Sequence, residues 1–93
     1  MNVTVEYAAQ VKRAAGIARE EISLDQPCGL AELVTQLAER HGDPLKSILL
    51  DSSGRPQPSI LVFIGDDQVR WDDQTVQVSD GQTVTLLSPV SGG

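Results

Sequence analysis

The 93-residue sequence has very few of the residues that small domains use for disulfide bonding, metal binding or redox chemistry. It contains one cysteine, Cys28, and one histidine, His41. A lone cysteine cannot form an intramolecular disulfide, and it excludes cysteine-rich zinc and iron–sulfur sites. A fold of this size without disulfides is typical of a reducing compartment, and residues 1–6 lack the basic start and apolar core of a secretory signal. We therefore expect a cytoplasmic protein.

Long apolar runs and an extended basic surface are also missing. Hydrophobic residues make up 40% of the chain but are interspersed with charges, which predicts no membrane span. The net charge is −6, and the seven basic residues are spread from Lys12 to Arg70. This sign and pattern are wrong for neutralising phosphates, so we expect no direct nucleic-acid partner. An acidic surface instead favours docking to a basic surface of another protein.

The sequence shows no set of side chains that would form an active site. His41 has no second histidine to act with, and we interpret it as structural. Cys28 precedes a predicted helix, which can lower a thiol pKa, but no activating residue is near it in sequence, so a buried thiol is the better interpretation. Two pairs of aspartates, Asp66-Asp67 and Asp72-Asp73, lack the spaced oxygen ligands of a calcium loop. We interpret them as solvated charges in turns. We expect no catalytic residue, no metal site and no bound cofactor.

Hydrophobic periodicity predicts an α+β fold. Apolar residues recur with helical spacing from Leu30 to His41, which predicts a helix. We expect Gly29 to be its N-cap, with the Glu32 side chain reaching back to it. Gly42 is expected to end the helix in a left-handed conformation. A short helical turn is expected to end at Gly16, and residues 47–50 are expected to form a short strand or a turn. Alternation and β-rich runs predict strands at 3–7, 22–25, 60–64, 69–71 and 83–88.

This order of elements predicts a β-grasp, ubiquitin-like domain over residues 1–88. One main helix would cover one face of a mixed sheet. Residues 89–93 are expected to form a flexible tail, because Pro89 ends sheet pairing and the chain then runs to Gly92 and Gly93. A glycine pair has no Cβ, so such an end can enter a narrow channel and present a carboxylate without steric hindrance.

The C-terminal residues resemble those of one known family. The segment Asp80-Gly81-Gln82-Thr83-Val84, followed by Pro89-Val90-Ser91-Gly92-Gly93, is similar to the ends of the MoaD/ThiS sulfur carriers, and of these the molybdopterin-synthase small subunit is the most similar. The N-terminal strand and the helix over 30–42 look like their counterparts in the same family.

The resemblance implies a carrier that does no catalysis itself. A partner ATP-dependent adenylating enzyme, using ATP and magnesium, would activate the Gly93 carboxylate, which would then become a thiocarboxylate and donate sulfur. Pro89, Val90, Ser91 and Gly92 would be threaded into the partner. A sulfur-accepting synthase or large subunit would be the second partner, and molybdopterin is one of several possible products.

Docking is expected to use the tail together with the sheet face that the helix leaves uncovered. Strand alternation places Leu61 and Phe63 on one side of their strand and Leu87 on one side of the last strand. We expect these three residues to contact the partner. The alternative register would bury Leu61 and Phe63 and expose Ile60, Val62 and Ile64.

Two other functions are compatible with the sequence. A ubiquitin-like modifier would use the same activated Gly93 to form an amide with a lysine of a target protein. A plain interaction module would have no use for the glycine pair, and its function would survive deletion of Gly92 and Gly93.

Overall fold

The computed structural model describes residues 1–88 and has the predicted β-grasp architecture. The elements follow one another as β1 Asn2–Ala8, α1 Ala9–Ala15, β2 Arg19–Ser23, β3 Cys28–Gly29, α2 Leu30–His41, α3 Leu45–Leu49, β4 Leu61–Ile64, β5 Asp67–Val69, β6 Gln77–Val78 and β7 Thr83–Ser88.

Five strands form the main sheet in the order β2-β1-β7-β4-β5. The first and last strands of the chain, β1 and β7, pair in parallel, and the other neighbours are antiparallel, so the sheet is mixed as expected. The short strands β3 and β6 form a separate antiparallel pair. The chain ends of the domain therefore lie side by side in the middle of one sheet.

Within residues 1–88, one hydrophobic core lies between this sheet and the helices. In α2, the helical spacing places Leu30, Leu33, Val34, Leu37 and Ala38 on one buried face. Burying each large aliphatic side chain stabilises the fold by about 1.5–3 kcal/mol, so this stripe is a major part of the core. The helix begins and ends at the predicted residues.

The ends of α2 differ in detail from the expectation. Gly29 is the N-cap, but the structure gives no hydrogen bond from the Glu32 side chain back to it within residues 1–88. Gly42 follows the helix with φ 69° and ψ −162°, so its φ is positive but it is not in the left-handed helical conformation. The positive φ still favours glycine at this position, because a Cβ would strain the backbone there.

The expectation of a strand or turn at residues 47–50 is wrong. The chain forms the helix α3 from Leu45 to Leu49, and these two residues, four apart, are both fully buried. Residues four apart lie one above the other on the same face of a helix, so both leucines can pack against the core within one turn. The predicted turn before Gly16 is confirmed as α1, and Gly16 ends it with φ 78°.

The last described residue is Ser88, and the predicted tail over 89–93 lies outside the described residues. None of the helices in residues 1–88 combines the length and the apolar character that crossing a bilayer requires.

Replacing Leu37 with Ala should lower the free energy of unfolding by about 2–5 kcal/mol, because the side chain is 1% exposed and its removal leaves a cavity. Urea denaturation followed by circular dichroism measures this change. The matched control is Gln36→Ala, one residue away on the exposed side of α2, which should change stability by no more than about 0.5 kcal/mol. Equal losses of stability in the two variants would show that Leu37 does not lie on the buried face of α2.

Candidate functional site

The candidate site is the sheet face that the helices leave uncovered. On β4 and β7, Val62 and Leu86 point into the core and are fully buried. Their neighbours Leu61, Phe63 and Leu87 alternate to the opposite side and are half-buried. Three large apolar side chains therefore lie on the outer surface of the sheet, where no element within residues 1–88 covers them fully.

The strand register brings these side chains together. Leu61 is opposite Leu87, and Ala8 of β1 is opposite Leu87 on its other side. Phe63 is opposite Thr85, one step along the same face. We call the group of Ala8, Leu61, Phe63 and Leu87 the open-face patch. The patch spans β1, β7 and β4 at the end of the sheet where β7 stops.

The alternative register is wrong. It would have placed Ile60, Val62 and Ile64 outside, but Ile60 is 4% exposed and Val62 is fully buried. The β-rich run is therefore a strand with one buried face and one half-exposed apolar face. The role of the open-face patch in binding a partner stays a prediction.

The tail residues of the candidate site, Pro89, Val90, Ser91, Gly92 and Gly93, lie outside the described residues. The structure describes the chain up to Ser88, which forms a parallel bridge with Ala9. The point from which the tail departs is thus next to the open-face patch and next to the start of α1.

The other residues singled out from the sequence have structural roles. Cys28 is buried in β3, and burial, followed by the charge of Glu32, raises the pKa of its thiol. A raised pKa disfavours the thiolate that nucleophilic chemistry needs. Asp72 accepts two hydrogen bonds of 2.9 Å from Arg70, and Asp73 caps its own turn. Within residues 1–88 no group of three or more side chains is arranged to hold a metal ion.

His41 belongs to a polar cluster that we did not predict from the sequence. Its Nε2 lies 2.5 Å from Oε2 of Glu20, and the same carboxylate oxygen accepts a hydrogen bond from the Tyr7 hydroxyl. Arg40 approaches the other carboxylate oxygen at 3.2 Å. Glu20 is therefore held at the rim of the core, where it joins β1, β2 and the end of α2.

The charge state of this cluster follows from its contacts. Burial disfavours the ionised form of Glu20, but hydrogen bonds from Tyr7 and His41 and the charge of Arg40 outweigh it and lower the pKa of the carboxyl from its usual 4.5. Burial, then the hydrogen bond to Glu20 and its charge, raises the pKa of the Tyr7 hydroxyl. The cluster thus keeps an ionised glutamate with a protonated tyrosine. A signal was present in the sequence, since Glu20 continues the alternation of Ile22 and Leu24 toward the core.

Comparison with protein families gives one decisive match. The model of the ThiS family matches residues 5–93, which is nearly the whole chain and includes the terminal glycines. The chain belongs to the ThiS family. It is thus a small ubiquitin-like carrier protein, and the resemblance inferred from its C-terminal residues is confirmed.

Solved structures agree with the fold of this ThiS-family chain. SAMP1 from Haloferax volcanii is 19% identical, with a TM-score of 0.84 and 100% of each chain covered. A Pyrococcus furiosus protein assigned as molybdopterin converting factor subunit 1 is 24% identical, with a TM-score of 0.72 and coverage of 97% of this chain and 99% of that one.

A third structure shows such a fold within a complex of two proteins. A chain of the Amycolatopsis orientalis BexX/CysO complex is 26% identical, with a TM-score of 0.66 and coverage of 98% of this chain and 99% of that one. Comparison of this ThiS-family sequence with curated proteins gives no significant match.

Because β7 has one buried and one open face, adjacent substitutions should differ strongly in how much they destabilise this ThiS-family domain. Leu87→Glu should shift the midpoint of thermal unfolding by only a few degrees, because a half-buried surface side chain contributes about 1 kcal/mol or less. Leu86→Glu should abolish cooperative unfolding, because it places a charge in a fully buried position. Thermal circular dichroism distinguishes them, and loss of folding in both variants would contradict the assignment of an open face.

Glu20→Gln should lower the free energy of unfolding at pH 7 by about 1.5–3 kcal/mol, the usual contribution of hydrogen bonds to a charged group. The pKa of Glu20 is lower in the folded protein than its ordinary 4.5, so the unfolded chain takes up the proton first as the pH falls. The contribution is thus present above pH 4.5 and is lost as the pH falls through the folded-state pKa.

Urea denaturation from pH 7 to pH 3 measures the difference in the free energy of unfolding between wild type and Glu20→Gln. This difference should become smaller at acidic pH. Glu21→Gln is the matched control, since Glu21 is exposed on the other face of β2. A difference that stays constant at all pH values would show that ionisation of Glu20 is not the source.

Proposed function

We propose that this protein is a sulfur carrier that works through the carboxylate of Gly93. The observation that carries the proposal is the ThiS-family match, which extends through Gly92 and Gly93. The open-face patch supports it, because apolar side chains gathered beside the start of the tail offer a partner a surface to hold while the tail is processed.

The proposed chemistry needs activation because a carboxylate is a poor electrophile. An oxygen of the Gly93 carboxylate would attack the α-phosphate of ATP and expel pyrophosphate, giving an acyl adenylate. A sulfide, or the terminal sulfur of a persulfide, would then attack the acyl carbon and expel AMP. With sulfide the product is directly the thiocarboxylate; with a persulfide the remaining sulfur–sulfur bond must be reduced by a thiol.

The partner in this scheme is an ATP-dependent adenylating enzyme, which would also hold the magnesium. The carrier would supply the tail, with Pro89, Val90, Ser91 and Gly92 entering the active site of that enzyme. Leu61, Phe63 and Leu87 would contact its surface. A cytoplasmic location would bring the carrier together with ATP and a sulfur donor.

The acceptor that we propose is a sulfur-accepting synthase or large subunit of the molybdopterin type. Support comes from the Pyrococcus furiosus neighbour, which is assigned as molybdopterin converting factor subunit 1 and covers nearly the whole chain.

A second candidate function is protein modification through Gly93. Support comes from the Haloferax volcanii SAMP1 described above, which is a small archaeal modifier protein with the same fold as this chain. Both functions need the same activated carboxylate, and they diverge when a sulfur atom or a target lysine attacks it.

Incubation with the organism's own activating enzyme, ATP and sulfide should replace one oxygen of the protein by sulfur. Intact-mass spectrometry measures this change directly. The matched control lacks Gly93 and should keep its original mass, because the proposed reaction takes place on the carboxylate of Gly93.

The same spectra separate the alternatives. Higher-mass adducts with other proteins that survive denaturant and thiol would favour the modifier function. If the enzyme preparation is shown to be active on another substrate but the mass of this protein stays unchanged, the result would contradict activation of Gly93.

A further inference from the structure

Charge is distributed very unevenly along this acidic chain. Residues 7–19 carry three of the seven basic residues and none of the thirteen acidic ones. The remaining residues are correspondingly more acidic than the net charge of −6 indicates. One of the three, Arg19, lies 3.9 Å from Glu6 on the open sheet face. Lys12 and Arg13 are exposed on α1, and neither forms a salt bridge within residues 1–88.

These two cations flank an apolar groove. Among the described residues, Ile17 is the large hydrophobic side chain that is most clearly exposed, at 40%. It lies just after α1. We call this surface the α1 patch, and its lining residues are Ala9, Lys12, Arg13, Gly16, Ile17 and Ala18.

The fold holds the α1 patch in a defined orientation. Val11 is fully buried in the core and anchors the inner side of α1, so Lys12 and Arg13 are directed outward. Ala9 has φ 54°, a strained conformation for a residue with a Cβ, at the junction between β1 and α1. Such strain persists only where the surrounding structure imposes it.

The α1 patch also lies beside the start of the tail. Ala9, one of its lining residues, forms a bridge with Ser88, the last described residue. The preceding residue, Ala8, belongs to the open-face patch through its pairing with Leu87. A protein that holds the open-face patch and receives the tail therefore reaches the end of the sheet at which α1 begins.

We propose that the α1 patch is a second contact surface for the enzyme that receives the tail, and that it binds a segment carrying acidic residues next to an apolar side chain. The acidic groups would pair with Lys12 and Arg13, and the apolar side chain would pack against Ile17. This inference rests on the proposed function for the identity of the partner. The rest of the carrier surface is acidic and favours basic partner surfaces, whereas the α1 patch favours an acidic one. The patch would therefore fix the orientation in which the carrier docks.

An acidic protein segment fits the patch better than a polyanion does. Nucleic acids are held by many phosphate contacts, and two free cations on a chain of net charge −6 provide few. A polyanion also gains nothing from the exposed Ile17. An acidic peptide with an apolar residue uses both features.

Two variants test the proposal without disturbing the fold. Lys12→Gln with Arg13→Gln removes the charges, and Ile17→Ser removes the apolar contact. The matched control is Lys46→Gln with Arg55→Gln, which removes the same charge from exposed residues that do not line the α1 patch. Thermal unfolding should be nearly unchanged in all three, because every altered side chain is exposed.

Binding to the organism's activating enzyme is measured by calorimetry with forms that lack Gly93, so that no chemistry interferes. Each test variant should bind roughly three- to tenfold more weakly than the unmodified form, as expected for two exposed ion pairs or one apolar contact. The salt dependence of the dissociation constant should become shallower for the charge variant only. The control should bind like the unmodified form.

The outcomes distinguish this inference from the proposed function. Weaker binding of both test variants supports the α1 patch, whether or not the full-length protein gains sulfur in the mass measurement. Unchanged binding of both variants alongside normal sulfur incorporation overturns the patch and leaves the carrier function standing. Affinity for a single-stranded oligonucleotide, or self-association, that depends on Lys12 and Arg13 while enzyme binding does not would also overturn it.

Discussion

The pairing of β7 between β1 and β4 is the constraint on which the rest of the structure depends. Because β7 is the last strand within residues 1–88 and lies inside the sheet, its hydrogen bonds join the first and last described strands. The same strand buries Val84 and Leu86 on one side and presents Leu87 on the other. Core packing, the open-face patch and the point from which the tail departs are thus all set by one strand and its register.

This arrangement separates stability from interaction. The buried stripe of α2 and the inner residues of the sheet supply the core, whereas the opposite face carries half-exposed apolar side chains that the core does not need. Mutations on the outer face can therefore change binding without a large loss of stability.

Electrostatics adds direction to the surface. Acidic residues keep most of the molecule negative, while the segment before β2 is positive and is held next to the start of the tail. Inside the rim, Glu20 ties two strands to the end of α2 through Tyr7 and His41. A largely desolvated carboxylate at the rim of a core is tolerated when such partners satisfy it, so the sole histidine has a structural explanation.

Local patterns in the sequence were sufficient for much of this description. The apolar spacing of Leu30 to Ala38 determined α2, the alternation of Val3, Val5 and Tyr7 determined β1, and the terminal glycines indicated the family. Only the tertiary structure decided the rest. Leu45 and Leu49 form a helix because both are buried against the same core, and Glu20 finds Tyr7 and His41 through contacts distant in sequence. The choice of which face of β4 is open depended on pairing with β7, since alternation defines two faces but does not say which one the helices will cover.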